Sequence, residues 1–390
     1  MRMSHTPTDF FKIANTTADH FGFMTVDQLK KAPECKECDK KAPHTVTGTN
    51  KRIDAQNGLL SSGIATFCDE KLHAIERPVL LYDVQQVPRS GEAAVTFHIF
   101  GVPQSIAEAI LIQTSRSILN DLGYEDHTVR INSLGCNESI TRYTRELTNF
   151  LRKRLDHITP DARELMKEHP LLALQHLIDT DHEVGQRSPN PLEYLSDNSR
   201  KHFREIIEYL DMSETPYEID PKMLGHHECY SDALFNLDVA TDEEEAPVTV
   251  QGGRFDEFVS RNTDLGTPAA GVVITLKNSK APARFPRHKS IEPSVYVVQL
   301  GFGPKVRSLL LIDQLRRSGI PVFHDLASDS LSNQLREAES RDVKYVIIVG
   351  QKEFVEDTVI LRDMSVRTQE YIPQSDLMKK LKRRSGVVTM

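Results

Sequence analysis

At 390 residues the chain is too long for one ordinary α/β core and suits two units, one of them large. A composition of 39% hydrophobic and 27% charged residues excludes a disordered chain, and a net charge of −8 excludes a broadly basic, histone-like nucleic-acid binder. No apolar run nears the roughly 18 residues of a spanning helix and the N-terminus is no signal peptide, so a soluble, cytoplasmic protein without a disulfide framework is expected.

In chain order, the first chemical candidates are Cys35 and Cys38, a Cys-x-x-Cys pair with His44 and Cys68 downstream. Zinc takes four ligands in a tetrahedron and this spacing supplies two, but no second pair exists. A zinc knuckle and a surface loop with free thiols therefore both remain open. Strands are predicted at residues 80–87, 94–100, 128–132, 233–238 and 270–276. Between them lie two amphipathic helices. Residues 137–155 carry a stripe of Ile140, Tyr143, Leu147, Phe150 and Leu151, and residues 198–210 carry Phe203, Ile206, Ile207 and Leu210. Strands and helices come in runs, which favours an α+β core with a mostly antiparallel sheet flanked by helices. The acidic run at 242–245 reads as a solvated hairpin tip.

Residues 277–293 mix Pro282, Pro286 and Pro293 with Lys280, Arg284, Arg287, His288 and Lys289, the composition of a linker. Beyond it the pattern alternates regularly. Strands at 295–300, 320–323, 345–349 and 358–361 are interleaved with helices at 301–318, 329–341 and 375–382, a small α/β domain. Gly301 and Gly303 follow a strand and open a helix, yet Val306 replaces the third glycine of a dinucleotide fingerprint. A tight strand-to-helix turn is the reading. The expected division is a core at 1–276, a linker at 277–293 and a second domain at 294–390.

Several segments, in order, resemble the histidyl-tRNA synthetases. They are Phe97-His98 with Gly101, Ala107-Glu-Ala-Ile110, Val129-Arg-Ile-Asn-Ser-Leu-Gly135, Tyr217-Glu-Ile-Asp220, Gly252-Gly-Arg-Phe-Asp256 and Thr267-Pro-Ala-Ala-Gly271. Residues from 295 to about 384 resemble the anticodon-binding domain of the His/Gly/Thr/Pro synthetases. The resemblance implies a class II synthetase core, homodimerisation through that core, ATP (with Mg) and histidine bound on its sheet, and tRNA on the C-terminal domain.

Forming an aminoacyl-adenylate brings a carboxylate against the α-phosphate of ATP, so the site must place cations on the phosphates. By the resemblance, Arg89 falls at the arginine that touches the α-phosphate, though Gly91 replaces the acid two positions on. Arg89 reads either as this ATP ligand or as an exposed turn residue. The position of the last motif's arginine is Asn278, and that of the catalytic arginine of the histidine signature loop is Gly225. Glu228 and Tyr230 keep that loop's acid and second tyrosine, and Cys229 replaces the first. Ser62 stands where a carboxylate would hold the substrate's amino group. Glu108 aligns with an acidic position near the histidine pocket, and with Glu228 it reads either as binding a basic small molecule or as structural. His226 and His227 beside Cys229 read as drift in an unused loop rather than a metal site. Lys379-Lys-Leu-Lys-Arg-Arg384 suits RNA phosphates or a plain solvated helix end.

The expectation is a synthetase-like protein that binds tRNA or a histidine-like ligand with weak or no histidine activation. Two alternatives stand beside it. One is an active, divergent histidine–tRNA ligase using displaced cations such as Lys277, Lys280, Arg284 or Arg287. The other is a histidine sensor like the regulatory subunit of ATP phosphoribosyltransferase, a family that usually lacks the anticodon domain.

Overall fold

The computed structural model describes residues 6–31, 55–75, 78–226, 229–241, 247–263, 265–282, 284–285, 294–328 and 330–385. Cys35, Cys38, His227 and Glu228 therefore lie outside the described residues, as does the acidic run at 242–245.

The chain opens with α1 (Pro7–His20), where Thr6 and Asp9 form a reciprocal capping box and Pro7 takes the first turn. After the short α2 (Val26–Leu29) comes α3 (Ala55–Asp69). The hairpin β1 (Val79–Gln86) and β2 (Glu92–Phe100) leads into α4 (Ile106–Asp121), then β3 (His127–Gly135). A helical stretch follows: α5 (Asn137–Arg152), α6 (Pro160–Glu168), α7 (Pro170–Asp179), α8 (Glu183–Gln186) and α9 (Asp197–Met212). Then come β4 (Tyr217–Ile219), β5 (Ser231–Val239), β6 (Val248–Arg254), α10 (Asp256–Asn262) and β7 (Ala269–Lys280). The strand β7 runs on through Lys280 into the Pro- and Lys-rich segment.

The seven strands form one sheet in the order β1-β2-β7-β6-β5-β3-β4, antiparallel except for the β3–β4 pair. Strand alternation gives it two faces. Ala93, Val95, Phe97 and Ile99 of β2 join Ala270, Val272, Ile274 and Leu276 of β7 in the cluster that includes α1 and α4 residues. Leu59, Leu60, Ile64 and Phe67 of α3 join Ala94, Phe100, Ala269 and Val273 in a second cluster on the other face, with Leu147 of α5 and Leu174 of α7. The two helices expected from stripe patterning are present at Asn137–Arg152 and Asp197–Met212.

The remainder is β8 (Val295–Gln299), α11 (Phe302–Arg317), β9 (Val322–His324), α12 (Leu331–Ser340), β10 (Tyr345–Val349), α13 (Gln351–Val355), β11 (Thr358–Asp363), β12 (Thr368–Pro373) and α14 (Gln374–Ser385). Its five strands run β12-β11-β10-β8-β9, parallel at β8–β9 and β8–β10 and antiparallel at the β11 pairs. Gly301 has φ 96°, a left-handed value that lets the chain turn sharply from β8 into α11. No helix among the described residues is long and apolar enough to cross a membrane.

The two sheets are joined through helices. Ser117 Oγ on α4 donates to Asp313 on α11 at 2.8 Å, and Arg316 reaches Asp121 at the end of α4. The rings of Tyr209 and Phe302 lie 4.6 Å apart across the same junction.

Candidate functional site

Cross-strand register aligns one row of side chains across the face that α3 and α5 share. Asp83 pairs with Thr96, Thr96 with Val273, Val273 with Gln251, Gln251 with Asn236 and Asn236 with Arg130. Directly opposed residues share a face, so this row is a largely polar stripe interrupted by Val273, buried at Thr96, half-buried at Gln251, Asn236 and Arg130 and exposed at Asp83. At the β5–β6 end it opens into a cleft of about 480 Å³, closed on its other sides by α7 and the segment from Asp220 to His226. Arg130 supplies the cation in the row. Asp238 holds it at 2.9 Å and Asp220 at 3.5 Å, so its charge is largely matched within the chain.

Gly225 lines this cleft. Its φ is 60°, and a Cβ there would stand 2.8 Å from Tyr230 Cδ2 and 3.0 Å from Leu234 Cδ1. A Cβ at Gly253 would likewise meet Tyr230 Cδ1 at 2.8 Å. The Tyr230 ring is thus wedged between two glycines, and the position that the resemblance gives to an arginine is shaped for the absence of a side chain.

Arg89 and Asn278 come together at a different place, the far end of β1, β2 and β7. Arg89 is exposed at the hairpin tip with φ 73°, in a turn closed by Gly91 N–H donating to Val87 O at 3.0 Å. Asn278 is exposed with φ 54°, and its N–H donates to Glu92 Oε1 at 3.1 Å. Lys277 Nζ stands 3.8 Å from the same carboxylate. Ser62 lies on α3, where its hydroxyl donates to Leu59 O at 2.7 Å and lies 3.2 Å from Gln85 Oε1.

Glu108 is not beside Tyr230. It sits on α4, on the other side of the sheet, fully buried. Arg254 Nε donates to Glu108 Oε1 at 2.7 Å and Arg254 Nη2 to Oε2 at 2.9 Å, a bidentate pair. His202 Nε2 lies 2.8 Å from Oε1. Arg254 spends its remaining donors on Val102 O, Gln104 O and Asp256. Burial alone would push the Glu108 carboxyl up; Arg254 and then His202 outweigh it and hold it at about 2. Burial pulls His202 down, but Glu108 more than offsets this and raises it above its ordinary value. His202, Arg254 and Asp256 face a polar groove of about 710 Å³, also lined by Cys136 and Asp232.

Among the described residues no three His, Cys, Asp or Glu side chains are grouped so as to hold a metal ion. Sequence reasoning named Arg254 only as part of a glycine-rich segment and missed His202. No local pattern links residues 146 and 94 positions from Glu108.

Comparison with known proteins bears on both halves. Residues 295–384 match the family described as "Anticodon binding domain". A histidine–tRNA ligase of Desulforamulus reducens is 26% identical over 369 residues, covering 90% of this chain and 87% of the relative. One from Cyanothece sp. (strain PCC 7425) is 29% identical over 313 residues, covering 77% and 70%. The solved structure of the apo S. aureus histidyl-tRNA synthetase aligns with a TM-score of 0.49 at 17% identity, covering 94% of this chain and 93% of that one.

A helix-flanked, mostly antiparallel sheet followed by an α/β anticodon-binding domain defines a class II aminoacyl-tRNA synthetase body. Residues 295–384 belong to the anticodon-binding domain family, and over most of its length the chain is similar to histidine–tRNA ligases.

Proposed function

We propose that this chain binds tRNA through residues 294–390 and a histidine-like ligand on residues 1–276, with weak or no activation of histidine. The connection between the two modules begins after Lys280, where β7 ends. Gly225 is the observation that carries the reading. A residue with φ 60° and Tyr230 2.8 Å from its missing Cβ leaves no place for an arginine unless the loop is rebuilt. Asn278 adds to this, since it offers no cation where the family's last motif has one. Losing a single well-placed arginine from a phosphoryl-transfer site costs on the order of 10³-fold in rate. ATP and Mg enter the picture only to the extent that activation survives. Homodimerisation through the core and a cytoplasmic location are part of the same proposal.

The test is histidine-dependent ATP–pyrophosphate exchange by the purified full chain, assayed beside the Desulforamulus reducens relative. Exchange at least ~10³-fold below the relative is expected. Exchange at the relative's level that disappears in Arg89→Ala would instead identify a working ligase.

The tRNA half has its own signature. Phosphate contacts release counterions, so the logarithm of affinity should fall linearly with the logarithm of salt concentration. Reversing two charges on α14, Lys379→Glu with Lys382→Glu, should flatten that slope by about 1–2, because each contact removed takes away roughly 0.7–0.9. A slope that does not change would place the RNA contacts elsewhere.

A further inference from the structure

The buried part of this sheet face, on β2 and β7, has the wrong composition for a permanent core. Thr96, His98 and Thr275 are at most 1% exposed. Neither ring nitrogen of His98 and no hydrogen-bonding atom of the Thr275 hydroxyl has a partner among the described residues. Ser61, on the helix above them, adds another buried hydroxyl without a partner. Each such group forfeits about 1–3 kcal/mol of hydration. The opposite face of the same strands is apolar throughout, from Ala93 to Ile99 in β2 and from Ala270 to Leu276 in β7.

The cover over this patch is α3, a poor helix by its own sequence. It holds Gly58, Gly63, Ser61, Ser62 and Thr66 within 15 residues, and each glycine weakens a helix by roughly 1 kcal/mol relative to alanine. Gly63 is where it seats. A Cβ there would fall 2.1 Å from His98 Nε2, so only glycine lets the helix backbone reach the imidazole. Below the ring, a Cβ at Gly271 would fall 3.0 Å from His98 Nδ1 and 3.0 Å from Leu60 Cδ2. The imidazole is clamped between two glycines, one on the helix and one on the sheet.

We propose that α3 is a removable plug, an autoinhibitory contact that closes the β1–β2–β7 part of the polar face in the resting chain and opens it by lifting from His98. The inference rests on the reading above, that this is a ligand-binding synthetase relative with little activation, and it supplies a cause beyond the missing arginines. With α3 lifted, Thr96, His98 and Thr275 lie open on the same sheet face as Gln251 and Asn236, extending the polar surface beyond Val273 from the open cleft. The buried polar groups are then hydrated or met by a ligand, which offsets the loss of the helix's apolar contacts.

Hydrogen exchange read by mass spectrometry on the full chain tests this, using wild type, Gly63→Ala and Gly63→Ala/His98→Ala. In wild type, amides of residues 59–69 should exchange at least ~10-fold faster than those of α4, although both helices are buried. Gly63→Ala should speed α3 a further ~100-fold and leave α4 within about threefold. Adding His98→Ala, which removes the ring that the new methyl strikes, should return α3 to within about tenfold of wild type. Three results would overturn the plug: α3 as slow as α4 in wild type, no response to Gly63→Ala, or α4 loosening along with α3. Pyrophosphate exchange on wild type is a separate readout. Exchange at the relative's level would sink the functional reading and leave the exchange pattern to speak for α3 alone.

Discussion

Glu108→Gln is expected to destabilise the chain by about 3–5 kcal/mol, the usual cost of removing one partner from a buried ion pair. The glutamine's amide oxygen can still accept from the Arg254 guanidinium, 1% exposed, but Asp256 would be its one remaining ion-pair partner among the described residues, beside the backbone carbonyls. Chemical denaturation followed by a probe in the seven-stranded sheet reads the effect, since a chain with two sheets need not unfold in one step. A loss below about 1 kcal/mol would mean that Arg254 is held by its other partners alone.

The pH dependence gives the same prediction a second edge. His202 is raised above its ordinary 6.5 by Glu108, so its contribution is fully present below pH 6.5 and is lost as pH rises through the folded value. Glu108, held at about 2 against an ordinary 4.5, contributes above pH 4.5 and loses that contribution only as pH falls through 2. The cost of Glu108→Gln should therefore be greater at pH 6 than at a pH above the raised His202 value, where His202 is neutral in both proteins. Equal costs at the two pH values would remove His202 from the network.

The second large effect is expected at the junction of the two sheets. Arg316 on α11 holds Asp121 with both terminal nitrogens and Asp313 Oδ1 through Nε at 3.0 Å. Asp313 Oδ1 also accepts from Ser117 on α4. Arg316→Ala would leave the buried Asp313 with Ser117 and Arg317, and Asp121 with no cation from this helix. We expect a loss of about 2–4 kcal/mol, less than for a wholly buried pair because the Asp121 side chain is 35% exposed. Amide exchange in α11 and in the last turn of α4 should rise together. Arg317→Ala is the control: its side chain is 56% exposed, and it should cost less than about 1 kcal/mol. Equal losses in the two variants would show that the junction does not depend on the buried guanidinium.

The elements that matter most were legible where the pattern is local. Residues 137–155 and 198–210 read as helices because an apolar stripe at helical spacing is a property of neighbours in sequence. Their observed limits, Asn137–Arg152 and Asp197–Met212, differ only at the ends, where caps decide. The β12 strand escaped notice because, with Ile372 its one buried residue, it lacks alternation. The helix α3 was missed for the opposite reason. Its two glycines and two serines argue against a helix, and only packing on the sheet stabilises one there.

The candidate site was less legible. Glu108, Glu228 and Tyr230 are ligand candidates by the resemblance; Glu108 lies on α4 and Tyr230 in the cluster on the other face of the sheet. Glu228 lies outside the described residues. Arg89 and Asn278, 189 positions apart by number (278 − 89), do reach the same end of the sheet, because β2 and β7 are neighbours.

The sequence by itself determined the kind of strands and helices and the α/β character of the C-terminal domain. Those are matters of residue type and short spacing, and the side chains state them directly. Tertiary structure alone decided that Glu108 belongs to Arg254, that Arg316 meets Asp121 across 195 positions, and that α3 lies on His98. A buried charge and an exposed one look alike in a sequence; what separates them is which distant part of the chain arrives to cover them.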